Sequence, residues 1–370
     1  MAAEWQGILN VTLENFLRDV EEDVFRDFKL VAMLQKKGNL KYGMSGNDMR
    51  WRIRYRQPPL IGIADADTLT FSRQDRHKQA FIDWRGYAMT DAVTFKEREM
   101  NKGKEAIVNR FEELATMMME DVTERFGYEP YINGYATGNS KRFHGIESFL
   151  GVSGTTAVVG SVAMAPSTTY AGLSTVLGNY GGSWSGAWPR GTGTAEYDFF
   201  SPLILDYTSS LATASGGWSS ATATWAARCL EVLRFGITFS QKNKSKRGML
   251  DFIDLDREMY RLALEALSSK ERIMVERSGD EGLVSMGFKD VFNYDGVEVT
   301  TEYGIPSGVG YGFNANHVDM NLLTKQMWEA RGPDEDIASM AYRFLVYNFG
   351  NFRWRPRYFV KFGAYGSTGA

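Results

Sequence analysis

The chain has 370 residues, a formal net charge of −3 and a single cysteine. Its length leaves room for two or three domains around a buried core, and its slightly acidic balance, with a pI of about 5.8, excludes an overall basic footprint for nucleic acid. The lone Cys229 excludes an intramolecular disulfide and reads as a small buried apolar residue in a reducing compartment, while no run of about 18 apolar residues and no basic, apolar leader argues for a membrane span or a signal peptide.

Leu13, Phe16, Leu17, Val20, Val24 and Phe28 recur at helical spacing, with Glu14, Asp19, Glu21, Glu22, Asp23 and Asp27 on the other face and Thr12 placed to cap. Nothing nearby in sequence covers the apolar stripe. It docks either on its own domain or, as an arm, on a neighbouring subunit. From residue 50 the period changes to two. Arg50, Arg52, Arg54 and Arg56 share one face of a predicted strand, and Trp51, Ile53 and Tyr55 share the other. Pro58 and Pro59 end it. Residues 68–71, a charged tip at 72–78 carrying Arg73, Arg76 and Lys78, a return strand at 79–85 ending in Arg85, and an extended run at 87–95 complete a long ribbon. An isolated ribbon is marginally stable, and like charges along one face repel. Both problems are relieved when the ribbon lies on another chain bearing acidic groups. Arginines interleaved with aromatics also suit phosphates and bases, but Asp48, Asp65, Asp67, Asp75 and Asp83 in the same segment weigh against that.

The stretch from about residue 101 to 126 organises the chain. Ile107, Phe111, Leu114, Met118 and Val122 step by four, three, four and four, which draws one stripe down an α-helix. Good helix formers fill the segment, and Gly127 suits the left-handed position past its end. Such a helix of about 25 residues is about 38 Å long, a spine with sheets on either side. Across 151–224 only Arg190, Glu196, Asp198 and Asp206 are charged, while aromatic residues are too frequent for a disordered linker. A helix over 221–235, capped by Ser220, turns Trp225, Cys229, Val232 and Leu233 inward. Another over 254–267 aligns Leu255, Met259, Leu262 and Ala266. The remainder reads as strands at 296–301, 310–313 and within 342–362.

No chemistry-bearing constellation emerges. His77, His144 and His317 lack metal-ligand spacing. Gly182–Gly186 only resembles a nucleophile elbow, and Gly308–Gly312 precedes no helix pattern. No catalytic, cofactor-binding or metal-binding residue is assigned, and no cofactor is expected.

The order of segments resembles the major capsid protein of tailed bacteriophages: an arm, a charged extended ribbon, a spine helix, a low-charge middle and a strand-rich end. Tyr170–Leu173 followed by Gly182–Trp188 looks like that family's Gly-Leu pair leading to a Trp-containing strand. Phe288–Pro306 followed by Gly310–Asn314 is similar to its passage of strand, acidic residue, proline, turn and strand. Val346–Arg353 leading to Arg357–Phe362 looks like its closing strands. The resemblance implies an α+β capsid fold, with residues 1–44 as arm, 45–98 as extended loop, 99–165 and 320–370 as peripheral domain and 166–319 as axial domain. It implies a non-enzymatic subunit assembling with itself through pentamers and hexamers into an icosahedral virion shell around double-stranded DNA, built in the host cytoplasm. A portal, decoration or scaffold protein would be its partner. With the loop starting near residue 45, a separate scaffold or none is implied. The expected inter-subunit contacts are Arg50, Arg52, Arg54, Arg56, Arg73, Arg76, Lys78, Arg85, Phe16, Val20 and Val24. Some family members crosslink a loop lysine to a neighbour's asparagine; Lys78 with Asn348 or Asn351 is the conceivable pair here, with no glutamate matching the assisting base. An encapsulin-like nanocompartment, which shares the fold, is the alternative. An enzyme with a Gly-rich β domain and a nucleic-acid-binding protein are the readings from other classes.

Overall fold

The computed structural model describes residues 28–56, 60–65, 67–100, 117–118, 120–122, 124–150, 169–175, 199–207, 224–240, 249–268 and 290–364. Helix α1, Lys29–Lys36, buries Leu30, Val31, Met33 and Leu34. It stops because Gly38 takes φ +68°. There Gly38 N–H donates to Gln35 and Asn39 N–H to Leu34, the paired bonds of a Schellman end. Strand β1, Leu40–Lys41, follows. Strand β2, Asp48–Arg54, and β3, His77–Asp83, pair antiparallel from Asp48 opposite Asp83 to Arg54 opposite His77. The alternation in β2 is as expected: Met49 and Trp51 are buried, and Arg50, Arg52 and Arg54 are exposed.

The end of the ribbon differs from the sequence reading. The ladder closes at Arg54 and His77, so residues 68–71 have no partner strand and belong to the connecting loop. The predicted return strand at 79–85 breaks at Trp84. Beyond it β4, Arg85–Thr94, pairs with β14, Ala341–Trp354, from Arg85 opposite Gly350 to Thr94 opposite Ala341. On the other edge of β14 lie β12, Val318–Leu322, and β13, Glu329–Asp336, one after the other. Gly350 pairs with both Leu322 and Arg85, which puts β4 and β12 on opposite sides of it. β1 adds in parallel to β12, completing a five-stranded sheet. The short helix α2, Phe95–Met100, follows β4.

Of the predicted spine stripe, Ile107, Phe111 and Leu114 lie outside the described residues. Met118 and Val122 are helical and buried, and the helical residues continue to Phe126. Phe126 packs edge-on against Phe28, Phe143 and Trp328. Residues 1–27 of the expected arm, the Ser220 cap and most of the low-charge middle also lie outside the described residues.

The second sheet has six strands in the order β7, β15, β11, β8, β10, β9. These are β7 (Leu203–Asp206), β8 (Phe252–Leu255), β9 (Val291–Tyr294), β10 (Val297–Thr301), β11 (Val309–Phe313) and β15 (Val360–Gly363). Within residues 320–370, β13 and β14 belong to the five-stranded sheet and β15 to the six-stranded one. Helix α4, Trp225–Ser240, turns Trp225, Cys229, Val232 and Leu233 inward, as expected. It comes so close to the sheet that a Cβ on Gly236 would lie 2.5 Å from the Phe362 ring. Helix α5, Arg257–Ser268, begins three residues later than its periodicity suggested. Leu255 is a strand residue instead, because β8 sits between β10 and β11 with all four of its residues buried. The sheets share one aromatic core: Trp354 of β14 meets Phe313 of β11, Phe359 and Phe149 of the short helix α3, Glu147–Leu150.

Candidate functional site

The outer face of β2 and β3 carries Arg50, Arg52 and Arg54 beside His77, Gln79 and a half-exposed Phe81. Arg50 Nε donates to both carboxylate oxygens of Asp48, at 2.8 and 2.9 Å, and this bond holds the Asp48 carboxyl below its ordinary range. Arg54 Nε reaches only the Arg56 carbonyl, at 3.4 Å. Arg56 and Lys78 both approach the Tyr55 ring, 5.9 and 5.2 Å from its centre. Arg52, Arg54, Arg73 and Arg76 are exposed and form no ion pair with a described carboxylate.

The apolar underside of the ribbon rests on its own chain. Met49 Sδ lies 3.1 Å from Asn321 Nδ2, Trp51 lies beneath the Arg353 guanidinium and Tyr55 meets Phe199. Phe81 N–H donates to the Ala171 carbonyl, and Gly172, at φ +74°, leaves room for the Phe81 ring. Strands β5, Thr169–Tyr170, and β6, Leu173–Ser174, meet the ribbon at Phe81 of β3, while the β12–β14 surface meets Met49 and Trp51. Both are remote in sequence, so no local pattern announces that the ribbon rests on its own chain. What remains uncovered is the arginine face and the loop beyond it.

Arg85 does not belong to that face. Half-buried, it donates from Nη1 to the carbonyls of Gly134, Asn139 and Arg142 at 2.7, 3.2 and 2.8 Å, gathering the 134–142 loop. The proposed crosslink partners are also internal. Asn351 Oδ1 accepts from His144 and Phe352 N–H, and its Nδ2 donates to the Asp83 carbonyl. Asn348 is fully buried opposite Tyr87. Neither is presented to a neighbour's Lys78. Phe16, Val20 and Val24 lie outside the described residues.

A buried ionisable cluster escaped the sequence reading. Strand register aligns Lys361, Tyr311, Asp254 and Thr300 in one row across β15, β11, β8 and β10. Above the row, Lys29 Nζ donates to Thr300 Oγ1 at 2.5 Å and to the Thr301 carbonyl. Tyr131 Oη stands 2.8 Å from Glu302 Oε2 and 3.2 Å from Asp254 Oδ2. Tyr131 stacks on Tyr311, which donates to Glu147, the ion-pair partner of Lys361. Burial raises the Asp254 carboxyl above its ordinary range, against the opposing pull of Lys29 and Tyr131. Burial raises Glu302 as well, and the Asp254 charge adds to the shift. Three carboxyls against two ammonium groups favour one retained proton. The sequence signal was slight: an aspartate inside an apolar strand and a glutamate just past another.

The histidines do not converge. Burial, and then the Arg85 charge, push His144 down to about 3, so its imidazole is neutral. His317 stacks on Tyr358, and His77 is exposed. Among the described residues no cluster could hold a metal ion, and no helix is long and apolar enough to cross a membrane.

No family profile and no curated protein matches the sequence. Solved structures do. The Cyanophage A-1(L) capsid asymmetric unit aligns at a TM-score of 0.51 and 13% identity, covering 86% of this chain and 88% of that one. The capsid of a native GTA particle aligns at 0.51 and 8%, covering 90% of each. The fold is that of phage capsid proteins. At these identities the likeness is one of fold, carried by the order of helices and sheets rather than by shared residues. Within this capsid fold the arginine face lies on a ribbon whose base is locked to its own chain.

Proposed function

We propose that the chain is a major capsid protein, a structural subunit that assembles with itself through pentamers and hexamers into an icosahedral shell around double-stranded DNA. One observation carries the reading: on a capsid fold, a ribbon docked on its own chain turns Arg52 and Arg54 outward with no described carboxylate partner. Exposed pairs contribute little singly, but a closed shell repeats each contact at every subunit. The mildly negative chain suits a container, because a strongly basic wall would hold phosphates through counterion release. In this reading residues 1–44 are the arm, 45–98 the extended loop, and the sheets of β14 and β11 the centres of the peripheral and axial domains. The chain acts in the virion capsid and performs no catalysis. Electron microscopy of the recombinant protein, alone and with a candidate scaffold, should show rings or closed shells. A species that stays monomeric at high concentration with scaffold supplied would overturn the proposal.

A further inference from the structure

Beside the helical residues that end at Phe126 lies an apolar cleft of about 440 Å³, lined by Met89 of β4, Val122, Phe126, Tyr128 and Trp328. Its volume falls within the roughly 300–1,000 Å³ of pockets that bury compact apolar groups. Its polar groups are unevenly served. Arg142 is paired with Glu129. Arg125, exposed at the rim, has no described carboxylate partner. Trp328 is 5% exposed, and its indole Nε1–H has no acceptor among the described residues. A buried indole N–H usually finds one. The cleft therefore fits an apolar side chain that arrives with a carboxylate beside it.

The described chain begins on the wall of this cleft. Phe28 is 2% exposed, and its ring centre stands 6.3 Å from that of Phe126 and 6.0 Å from that of Tyr303. Phe28 is also the last member of the apolar stripe that runs through Leu13, Phe16, Leu17, Val20 and Val24. One end of that stripe is thus already seated. The backbone at Phe28 is extended, with φ −109° and ψ 110°, so the axis of α1 does not run back through it. Asp23 and Asp27 flank Val24 in sequence, and Glu21 and Glu22 follow Val20, which supplies the carboxylates that Arg125 and Trp328 lack. The stripe is tethered at the cleft wall through Phe28. Its seating there is intramolecular and escapes the association cost that a second copy would meet.

We infer that the amphipathic segment at residues 13–27 folds back on its own chain and seats Val20 and Val24 in the Trp328 cleft, with Asp23 or Asp27 meeting Arg125 and the Trp328 indole. The inference stands apart from the shell reading, since it concerns a contact made within one free chain. It reassigns Val20 and Val24, expected between subunits, to holding their own chain together. The same stripe offered to the cleft of a second copy is the competing arrangement.

The test places a photoreactive benzoyl-phenylalanine at Val24 of the full chain. Heavy-isotope-labelled and unlabelled copies are mixed as free subunits before irradiation, and the crosslinks are mapped by mass spectrometry. Links within one chain to the segments carrying Met89, Phe126 or Trp328 are expected. Amide exchange in the unmodified chain, which needs no substitution in the cleft, should be slower over 13–27 than in a free peptide of that sequence by about tenfold or more. Arg125→Glu should remove most of that protection without moving the melting temperature of the subunit, and adding Asp23→Arg and Asp27→Arg should restore it. Links that join different copies, or that fall elsewhere on the chain, overturn the inference. So does exchange over 13–27 at the rate of the free peptide. Each of these results leaves the shell reading intact, and a chain that forms no particles leaves the inference intact.

Discussion

Lys29 and Arg52 are both cations beside β-strands, and the fold treats them in opposite ways. Lys29 is 7% exposed and donates to Thr300 and Thr301 over a row of buried carboxyls and phenols. Arg52 stands in solvent in a row of like charges. A charge taken out of water must be matched on the spot or it costs several kcal/mol, so the cations and carboxyls of the buried cluster are brought together within one chain, and Lys29 ties α1 to the six-stranded sheet. A charge left in water is held by nothing and loses little by waiting. On the arginine face, where Arg50 is paired with Asp48, Arg52 and Arg54 can therefore remain unmatched in the monomer and be satisfied by a neighbour. The comparison separates residues that hold one chain together from residues that, under the proposed function, would join chains.

Lys29→Met should have the largest effect. It leaves Asp254 and Glu302 buried without their cation, and breaking such a cluster from one side costs about 3–5 kcal/mol. Urea denaturation should show it, and a loss within experimental error would mean that the cluster is not what seats α1. Arg85→Ala comes next. Hydrogen bonds from a charged donor contribute about 1.5–3 kcal/mol, and three carbonyls of the 134–142 loop lose theirs. Faster amide exchange in that loop should accompany the lower stability. An assembly defect with full monomer stability would instead return Arg85 to the inter-subunit set.

The pH dependence is smaller and has a definite sign. The folded state raises the Asp254 and Glu302 carboxyls above their unfolded values. It then binds more protons than the unfolded chain wherever the pH lies between the two. The stabilisation from the held proton is complete below the ordinary carboxylate range and is lost as pH rises through the raised values. Stability should therefore fall by about 1.4 kcal/mol per pH unit for one proton as pH rises from the ordinary carboxylate range to the raised values, and level off above them. Glu302→Gln should flatten that slope, and an identical slope in the variant and the parent would count against the cluster as its source. The smallest effect on the subunit belongs to the arginine face. Replacing Arg50, Arg52, Arg54 and Arg56 by alanine should leave the melting temperature of the monomer nearly unchanged while particle assembly fails. Normal shells from that variant would remove the face from the interface, and salt-sensitive DNA binding lost with the arginines would make it a nucleic-acid surface instead.

By itself the sequence determined whatever depends on neighbours in the chain. The period of two in β2 placed the arginines on one face and Trp51 and Tyr55 on the other. The period of 3.6 in α4 turned Trp225, Cys229, Val232 and Leu233 inward, and strands could be read at 296–301, 310–313 and within 342–362. The order of segments already pointed to the capsid fold. Only the tertiary structure decided where the ribbon ends, because β4 leaves β3 to pair with a strand about 250 residues away in sequence, and no local pattern announces that partner. It alone made Leu255 a strand residue, since its neighbours on both sides, β10 and β11, come later in the chain. It alone turned Arg85 and Asn351 inward, built the cleft beside Trp328, and brought Lys29, Tyr131, Asp254 and Glu302 to one place. Periodicity reports which face of an element is apolar, and so which face is buried. It carries no record of which distant element does the burying, and every feature missed here depends on that choice.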